Sequence, residues 1–275
     1  MAVELTGGTP ATNNKLMVLG HGYPGVGKSA LGLSFPTPHY VFNLDRPLDN
    51  LIEKLPTAHK VVLEDAPQDV DAASRAVAQS YLTKFDALMK RALTEGGDGT
   101  AMIDGWDIFW DLVKIAKVAN LDSDLPKEYA PANAYMNQWL GRLGRSRLNV
   151  YFTTVSSRVW TGAKTETERV RADGFKHKDR MLTHEVYMFS PEDRRNPFEV
   201  PKGGDSKTPG SLGQTHQALI TMSKLNENLI NKAVPNLSYS LLYRLTFGKA
   251  YPEPARLWSP AASAVAAPKD DGANS

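Results

Sequence analysis

The stretch Gly22-Tyr23-Pro24-Gly25-Val26-Gly27-Lys28-Ser29 fits the pattern G-x-x-x-x-G-K-[ST] and decides how the rest of the chain is read. A polyphosphate is held where backbone N–H groups converge on its oxygens, which requires residues that tolerate positive φ and leave no Cβ in the way. Gly22, Gly25 and Gly27 meet that need, and Pro24 stiffens the turn. Lys28 is expected to reach the β- and γ-phosphates and Ser29 to ligate Mg2+, while Tyr23, Val26 and Ala30 complete the loop and the helix start facing the ligand. ATP and Mg2+ are the ligands predicted for this loop.

An apolar run, Leu16-Met17-Val18-Leu19, enters the loop, and a helical pattern, Ser29-Ala30-Leu31-Gly32-Leu33, leaves it. Strand, glycine loop and helix in that order are what the motif requires. Pro36 and Pro38 then stop the helix, and 39–45 reads as a second buried strand ending on Asp45. Residues 60–65 read as a third strand, again ending on acids, Glu64 and Asp65. Helical spacing over 68–94 closes at Gly96-Gly97-Asp98-Gly99.

Thr100-Ala101-Met102-Ile103-Asp104 is a short strand whose terminal carboxylate suits a Mg2+ held through water beside the phosphate loop. The structural alternative makes Asp104 the cap of a helix beginning near Trp106. Trp106, Phe109, Trp110 and Val113 fall at helical spacing and are expected to face the core. An amphipathic helix over 132–147 leads to a buried strand over 149–154, where Thr153, Thr154 and Ser156 stand in place to sense a γ-phosphate. The alternation predicts an α/β fold, a mostly parallel twisted sheet with helices on both faces and its ligand at the C-terminal edge of the strands.

Composition narrows the function classes. The chain has 275 residues, 23% charged and 41% hydrophobic, with a net charge of +2, so it reads as globular and not as a bulk-electrostatic nucleic-acid binder. No cysteine is present, which excludes disulfides, thiolate zinc sites and cysteine nucleophiles. No apolar run reaches membrane-spanning length and the N-terminus lacks the order of a secretion signal, so the expected location is the cytoplasm, without a membrane partner.

The composition shifts between Ser157 and Arg180, where seven Lys/Arg face four acids, with Trp160 and Phe175 interleaved. Arg158, Lys164, Arg169, Arg171, Lys176, Lys178 and Arg180 could track a phosphate backbone while aromatic rings stack on bases, as in single-strand binding. The alternative is a solvated surface loop. Residues 185–190 read as a strand, 191–214 as a flexible connection, and 218–222 with 239–247 as two antiparallel edge strands. The expected organisation is an irregular lead-in over 1–14, one nucleotide-binding domain over 15–250 with mobile loops at 157–182 and 191–214, and a disordered tail over 251–275.

Taken together, the loop 22–29, Asp45, Asp104 and the strand end 153–156 resemble the RecA-like core ATPases, most closely the small phage-encoded P-loop proteins linked to single-strand annealing and recombination. The resemblance covers about residues 15–190 as an order of elements. It implies an ATPase acting on single-stranded DNA in recombination, repair or replication, assembled as a homo-oligomer in the cytoplasm, the host's if phage-encoded. In that family a glutamate polarises the attacking water. The matching position here is Asp45, one methylene shorter, with Glu64 as the other candidate. Asp104 is followed by Gly105 where AAA+ motors carry a second acid, which favours the RecA-like reading. The basic segment occupies the place of the family's DNA-binding loop, and Arg142, Arg145, Arg147, Arg158 and Arg180 are candidates to close a neighbouring subunit's site.

Two other readings stand beside this one. One is a nucleotide-gated loader or assembly switch with little hydrolysis, to which the Asp-for-Glu departure gives weight. The other is a small-molecule phosphotransferase with the basic segment as a lid, for which no acceptor signature is found. A GTPase is disfavoured by the lack of an N-K-x-D motif.

Overall fold

The computed structural model describes residues 14–66, 73–121, 125–161, 165–175, 179–190 and 217–258, and side chains are described outside 158–170. Residues 1–13 of the lead-in expected over 1–14, the connection over 191–214 and the part of the expected tail beyond 258 lie outside the described residues.

Strands β1 (Met17–His21), β2 (His39–Asn43), β3 (Val61–Asp65), β4 (Thr100–Asp104), β5 (Asn149–Thr154) and β8 (His184–Phe189) run parallel. With β9 (Gln217–Ser223) and β10 (Ala233–Pro235) added antiparallel, they form one eight-stranded sheet in the order β10-β9-β8-β1-β5-β4-β2-β3. The expected α/β architecture with its C-terminal antiparallel edge is therefore present. Strand β5 is inserted between β1, which carries the phosphate loop, and β4, which carries Asp104.

Side chains alternate across the pleat. Met17, Leu19, Tyr40, Phe42, Ala101, Ile103, Val150 and Phe152 face a core shared with α3 (Arg75–Glu95), α4 (Trp106–Lys117) and α5 (Ala130–Arg145). Leu16, Val18, Val41, Met102 and Tyr151 face a second core with α1 (Lys28–Leu33) and α6 (Tyr239–Phe247). The central strands are covered on both faces, which is why they read as continuous apolar runs. Between β2 and β3 lies the short helix α2 (Asp49–Ile52).

Three expectations are corrected. Residues 239–247 form helix α6, not a strand: the Ser238 hydroxyl caps its start, Gly248 at φ 68° ends it, and Tyr239, Leu242, Tyr243 and Thr246 are buried at helical spacing. The antiparallel edge is completed by β10 instead. Residues 251–258 are packed rather than tail-like. The Arg256 guanidinium donates to the Thr37 carbonyl (Nε–O 2.8 Å), the Thr37 N–H donates back to the Arg256 carbonyl at 3.0 Å, and Trp258 is buried. Burying that indole stabilises the closure by about 2–3 kcal/mol. Finally, within the supposed loop 157–182, β6 (Ser156–Thr161) and β7 (Thr165–Ala172) pair antiparallel as a separate two-stranded sheet. The Thr- and Val-containing run of β7 suits such pairing.

Two buried histidines set an acid limit on this fold. Burial holds the His39 imidazole down to about 3, with His59 and Arg256 adding repulsion, and burial holds His184 at about 4. Both lie below the ordinary 6.5, so below that pH the unfolded chain binds more protons than the folded one, and stability present above it is lost as pH falls. Each group is expected to remove about 2 kcal/mol between pH 7 and pH 5. Urea unfolding at the two pH values measures this, and equal midpoints would refute it.

Candidate nucleotide site

The phosphate loop leaves β1 with its glycines in the conformations that the motif predicts. Gly25 and Gly27 have φ of 85° and 87°, and a Cβ on Gly25 would meet nothing within 4 Å. Gly22, at φ 150°, has no such room, because a Cβ there would stand 2.1 Å from the Met188 carbonyl oxygen. Strand β8 thus presses on the loop's first residue, and only glycine fits.

Lys28 is 7% exposed, and its ammonium donates to the carbonyls of Gly22 at 2.8 Å and Tyr23 at 3.0 Å. Burial lowers its pKa, while Asp45, Asp104 and Asp107, in that order, raise it. Tyr151 of β5 donates its hydroxyl to the Lys28 carbonyl at 2.9 Å and fixes the start of α1 from below. Val26 is buried, Tyr23, Ser29 and Ala30 are partly buried, and Pro24 is exposed.

Asp104 ends β4 at 1% exposure. The Thr153 hydroxyl donates to its Oδ1 and accepts the Gly105 N–H at 2.8 Å. The Ser29 hydroxyl also favours the charged carboxylate, yet burial outweighs both and raises the Asp104 pKa. Its Oδ2 has no hydrogen-bond partner among the described residues. A buried carboxylate oxygen left unpaired beside a serine hydroxyl and an ammonium is the chemistry a hard cation completes. Among the described residues no cluster of three or more His, Asp or Glu side chains suits a metal by itself. Mg2+ characteristically takes one or two protein ligands, substrate phosphates and water, so Ser29 and Asp104 fit it.

The order of strands decides which of the other acids belongs here. Asn43 of β2 lies opposite Asp104 in register, and the Leu44 N–H donates to the Asp104 carbonyl at 2.8 Å, so Asp45 is delivered to the site. Glu64 is not. It sits on the outermost strand, four strands and about 19 Å from β1, and pairs with Lys84 at 2.9 Å. Its candidacy for orienting water is withdrawn on that geometry.

Sequence reasoning missed Asp107. It lies in the first turn of α4, where burial, the largest influence, holds its carboxyl above the usual carboxylate range, while the Thr154 hydroxyl and the N–H groups of 107 and 108 favour the anion. The only available signal was an acid following the strand-ending Asp104 by one helical turn. Of the other residues assigned to phosphate sensing, Thr153 serves Asp104, and Ser156 Oγ lies 2.9 Å from Nδ1 of the buried His21.

The β6–β7 hairpin begins directly after β5. The Asp173 N–H donates to the Val155 carbonyl at 3.2 Å, Thr154 Oγ1 lies 3.3 Å from the Asp173 carbonyl, and Ser157 donates to the Asp173 carboxylate at 2.6 Å. Gly174, at φ 95°, lets the returning chain pass so close to α4 that a Cβ would lie 2.8 Å from Trp106. Phe175 is buried against Trp110 with ring centroids 5.0 Å apart, so it is not free to stack on a base. Arg158, Trp160 and Arg169 lie on the hairpin strands, and Arg171 is exposed at its base. Lys164, Lys176 and Lys178 lie outside the described residues. Arg180 is exposed but separated from the hairpin, near the start of β8, where Lys224 holds the Asp179 carbonyl.

Two of the arginines considered for a neighbouring site are engaged at the opposite edge of the sheet. Arg147 forms a bidentate pair with Asp98 (2.8 and 2.7 Å), and Arg142 stacks over Trp139.

Comparison with known proteins adds only distant structural likenesses. No protein-family model matches the chain, and no curated protein matches it. Solved structures that match include a prototypical ATPase from the type III secretion system of pathogenic bacteria, at 14% identity and a TM-score of 0.44, covering 62% of this chain and 50% of that one. Another is the assembled ATPase EscN from the type III secretion system of enteropathogenic E. coli, at 16% identity and a TM-score of 0.43, covering 63% of this chain and 43% of that one. The chain thus spans half or less of their length. The site assignment rests on the loop and the strand order, not on these likenesses.

Proposed function

We propose that the protein is a Mg2+-dependent ATPase that works on single-stranded DNA in recombination, repair or replication. In this reading the loop from Gly22 to Ala30 holds the phosphates, Ser29 and Asp104 hold Mg2+, and Asp45 adds a carboxylate facing the γ-phosphate side. Bound Mg2+ would supply a Lewis acid that neutralises charge developing on the phosphates. Lys28 contributes a second positive charge from a desolvated position, where it acts more strongly than in water.

One observation carries the DNA half. Strand β5 ends at the acids of the nucleotide site and continues, through Thr154 and Val155, into the β6–β7 hairpin that holds Arg158, Trp160, Arg169 and Arg171. A change in what Thr154 bonds is a change at the hairpin base. In sequence Lys164 falls between the two hairpin strands and Lys176 and Lys178 follow them, so all three would extend the basic track. A homo-oligomer along the strand, with a basic residue of one subunit closing the next site, completes the proposal.

The reading predicts that single-stranded DNA raises ATP turnover at least tenfold and that the stimulation falls as salt rises, because phosphate contacts release counterions. Steady-state turnover with and without a homopolymeric oligonucleotide, at two salt concentrations, tests it. Turnover indifferent to DNA would remove the DNA half. Binding of ATP without turnover would leave the nucleotide-gated switch, which the Asp at position 45 favours.

A further inference from the structure

The row of residues at the ends of β3, β2, β4 and β5 holds a second unused polar group beside the Asp104 carboxylate. Asp65, Asn43, Asp104 and Thr153 are successive register partners across those strands, so their side chains project from one face of the sheet. Both hydrogens of the Asn43 amide are committed: Nδ2 donates to Asp65 Oδ1 at 2.8 Å and to the Arg46 carbonyl at 3.2 Å. Both partners are acceptors, which fixes the nitrogen and the oxygen of the amide. With its nitrogen drawn toward β3, the planar amide carries Oδ1 on the other side, toward β4. Asp104 is drawn the opposite way, its Oδ1 taking the Thr153 hydroxyl from β5, so its Oδ2 is left on the side of β2.

Asn43 is 3% exposed and Asp104 1%, and neither Asn43 Oδ1 nor Asp104 Oδ2 has a hydrogen-bond partner among the described residues. Two buried acceptors side by side cost the fold stability unless a donor or a cation joins them. Their spacing selects the joining group. Neighbouring strands lie about 4.8 Å apart, and a water donating one hydrogen to each oxygen at about 2.8 Å spans about 4.5 Å. A bare Mg2+, with ligands at about 2.1 Å, would bridge that gap only by lying in line between the oxygens, where buried side chains crowd out its four other ligands. We propose that Asn43 is an outer ligand of the nucleotide's Mg2+: Asn43 Oδ1 and Asp104 Oδ2 each accept one hydrogen of a water in the ion's hydration shell. The inference rests on the Mg2+-nucleotide reading and deepens it, adding a residue of β2 that the loop motif and its strand-ending acid do not specify.

Mg2+ gives up its waters reluctantly, so the groups that hold those waters orient the ion, and losing one characteristically weakens a metal site 10- to 100-fold. A neutral amide does this without adding a negative charge beside Asp104. Asp65 is the positioning residue. Its carboxylate, at the exposed end of β3, keeps the amide from turning its nitrogen toward β4. The edge strand, whose Glu64 is too distant to act directly, thus bears on the nucleotide site through Asn43.

The test uses the full chain with a non-hydrolysable ATP analogue and Mn2+ in place of Mg2+, the free ion being counted by electron paramagnetic resonance. Turnover as a function of Mg2+ concentration and thermal unfolding are measured beside it. Asn43→Leu, which keeps the shape and loses the acceptor, is expected to weaken nucleotide-dependent binding of the ion about 10- to 100-fold and to raise the half-saturating Mg2+ concentration to match. Asp65→Ser, at an exposed position, is expected to weaken the ion about threefold with an unchanged unfolding midpoint. Ion affinity within twofold of wild type in Asn43→Leu overturns the inference while leaving the ATPase reading intact. So does a lowered maximal rate with unchanged half-saturation, which would place Asn43 at the attacking water. Wild-type protein that takes up no ion with the nucleotide overturns the inference together with the proposed function. If Asn43→Leu does not fold, Asp65→Ser decides, and unchanged ion affinity there overturns the inference.

Discussion

Lys28→Ala is expected to weaken Mg2+-ATP binding at least 100-fold and to lower turnover at least 1000-fold, the largest effect of any single substitution in the chain. The ammonium is nearly buried, and three acids, Asp45, Asp104 and Asp107, act on it. Without it those acids meet the triphosphate with their buried counter-charge gone and the exposed Arg46, whose field reaches the same position, screened by water. The same substitution leaves the Gly22 and Tyr23 carbonyls without the donor that now holds them. Each lost partner costs about 1 kcal/mol, so the midpoint of thermal unfolding should fall by several degrees while the far-ultraviolet spectrum is kept. Calorimetric titration with Mg2+-ATP is the check. Binding within threefold of wild type would remove the phosphate loop from the site.

Asp104→Asn is expected to separate stability from activity. The native carboxylate is buried with one oxygen that has no hydrogen-bond partner among the described residues, which costs the fold stability. An amide of the same shape removes the buried charge, so the nucleotide-free protein should gain about 1 kcal/mol in urea unfolding near neutral pH. It also removes the anionic ligand expected to hold Mg2+, and turnover at fixed Mg2+ should fall about 1000-fold. Gly105, not Asp104, is the N-cap of α4 and no side chain caps that helix, so a variant that is both less stable and fully active would show that Asp104 serves the fold through its bond to Thr153 and does no more. The pairing of a stability gain with an activity loss is what a purely structural carboxylate does not give.

The chain's central elements were legible because their positions impose strong local constraints. The loop 22–29 needs glycine at positions set by φ and by the approach of β8, and the strands around it are buried on both faces, so they read as apolar runs closed by a polar residue. Asp45 and Asp104 stand at the ends of neighbouring strands, and both act by charge on Lys28. What failed was whatever depended on lateral order. Glu64 and Asp45 end consecutive strands and look alike in sequence, yet only the sheet order shows that one faces the loop and the other lies at the far edge. The aromatic-rich run 239–247 was misread because Tyr and Phe suit strands in general, although Ser238 and Gly248 bracket it as a helix. Residues 251–258 were hidden by the proline- and alanine-rich composition around them, which masks one buried tryptophan.

The anchoring of the β6–β7 hairpin has a mechanical consequence. Strand β6 is one side of the two-stranded β6–β7 arm, about 20 Å long as judged from its six residues, and the base of the arm is held between Val155 and the Trp106–Trp110 face of α4. The clamp is a fulcrum set beside the nucleotide site. Rotation by about 10° there, produced by a displacement too small to disturb the packed sheet, swings the far end of the arm through about 3.5 Å, close to the rise of one residue along a strand. Under the proposed function, the arm would convert the small travel of a bond made or broken at Thr154 into a step close to the spacing of units along a bound single strand.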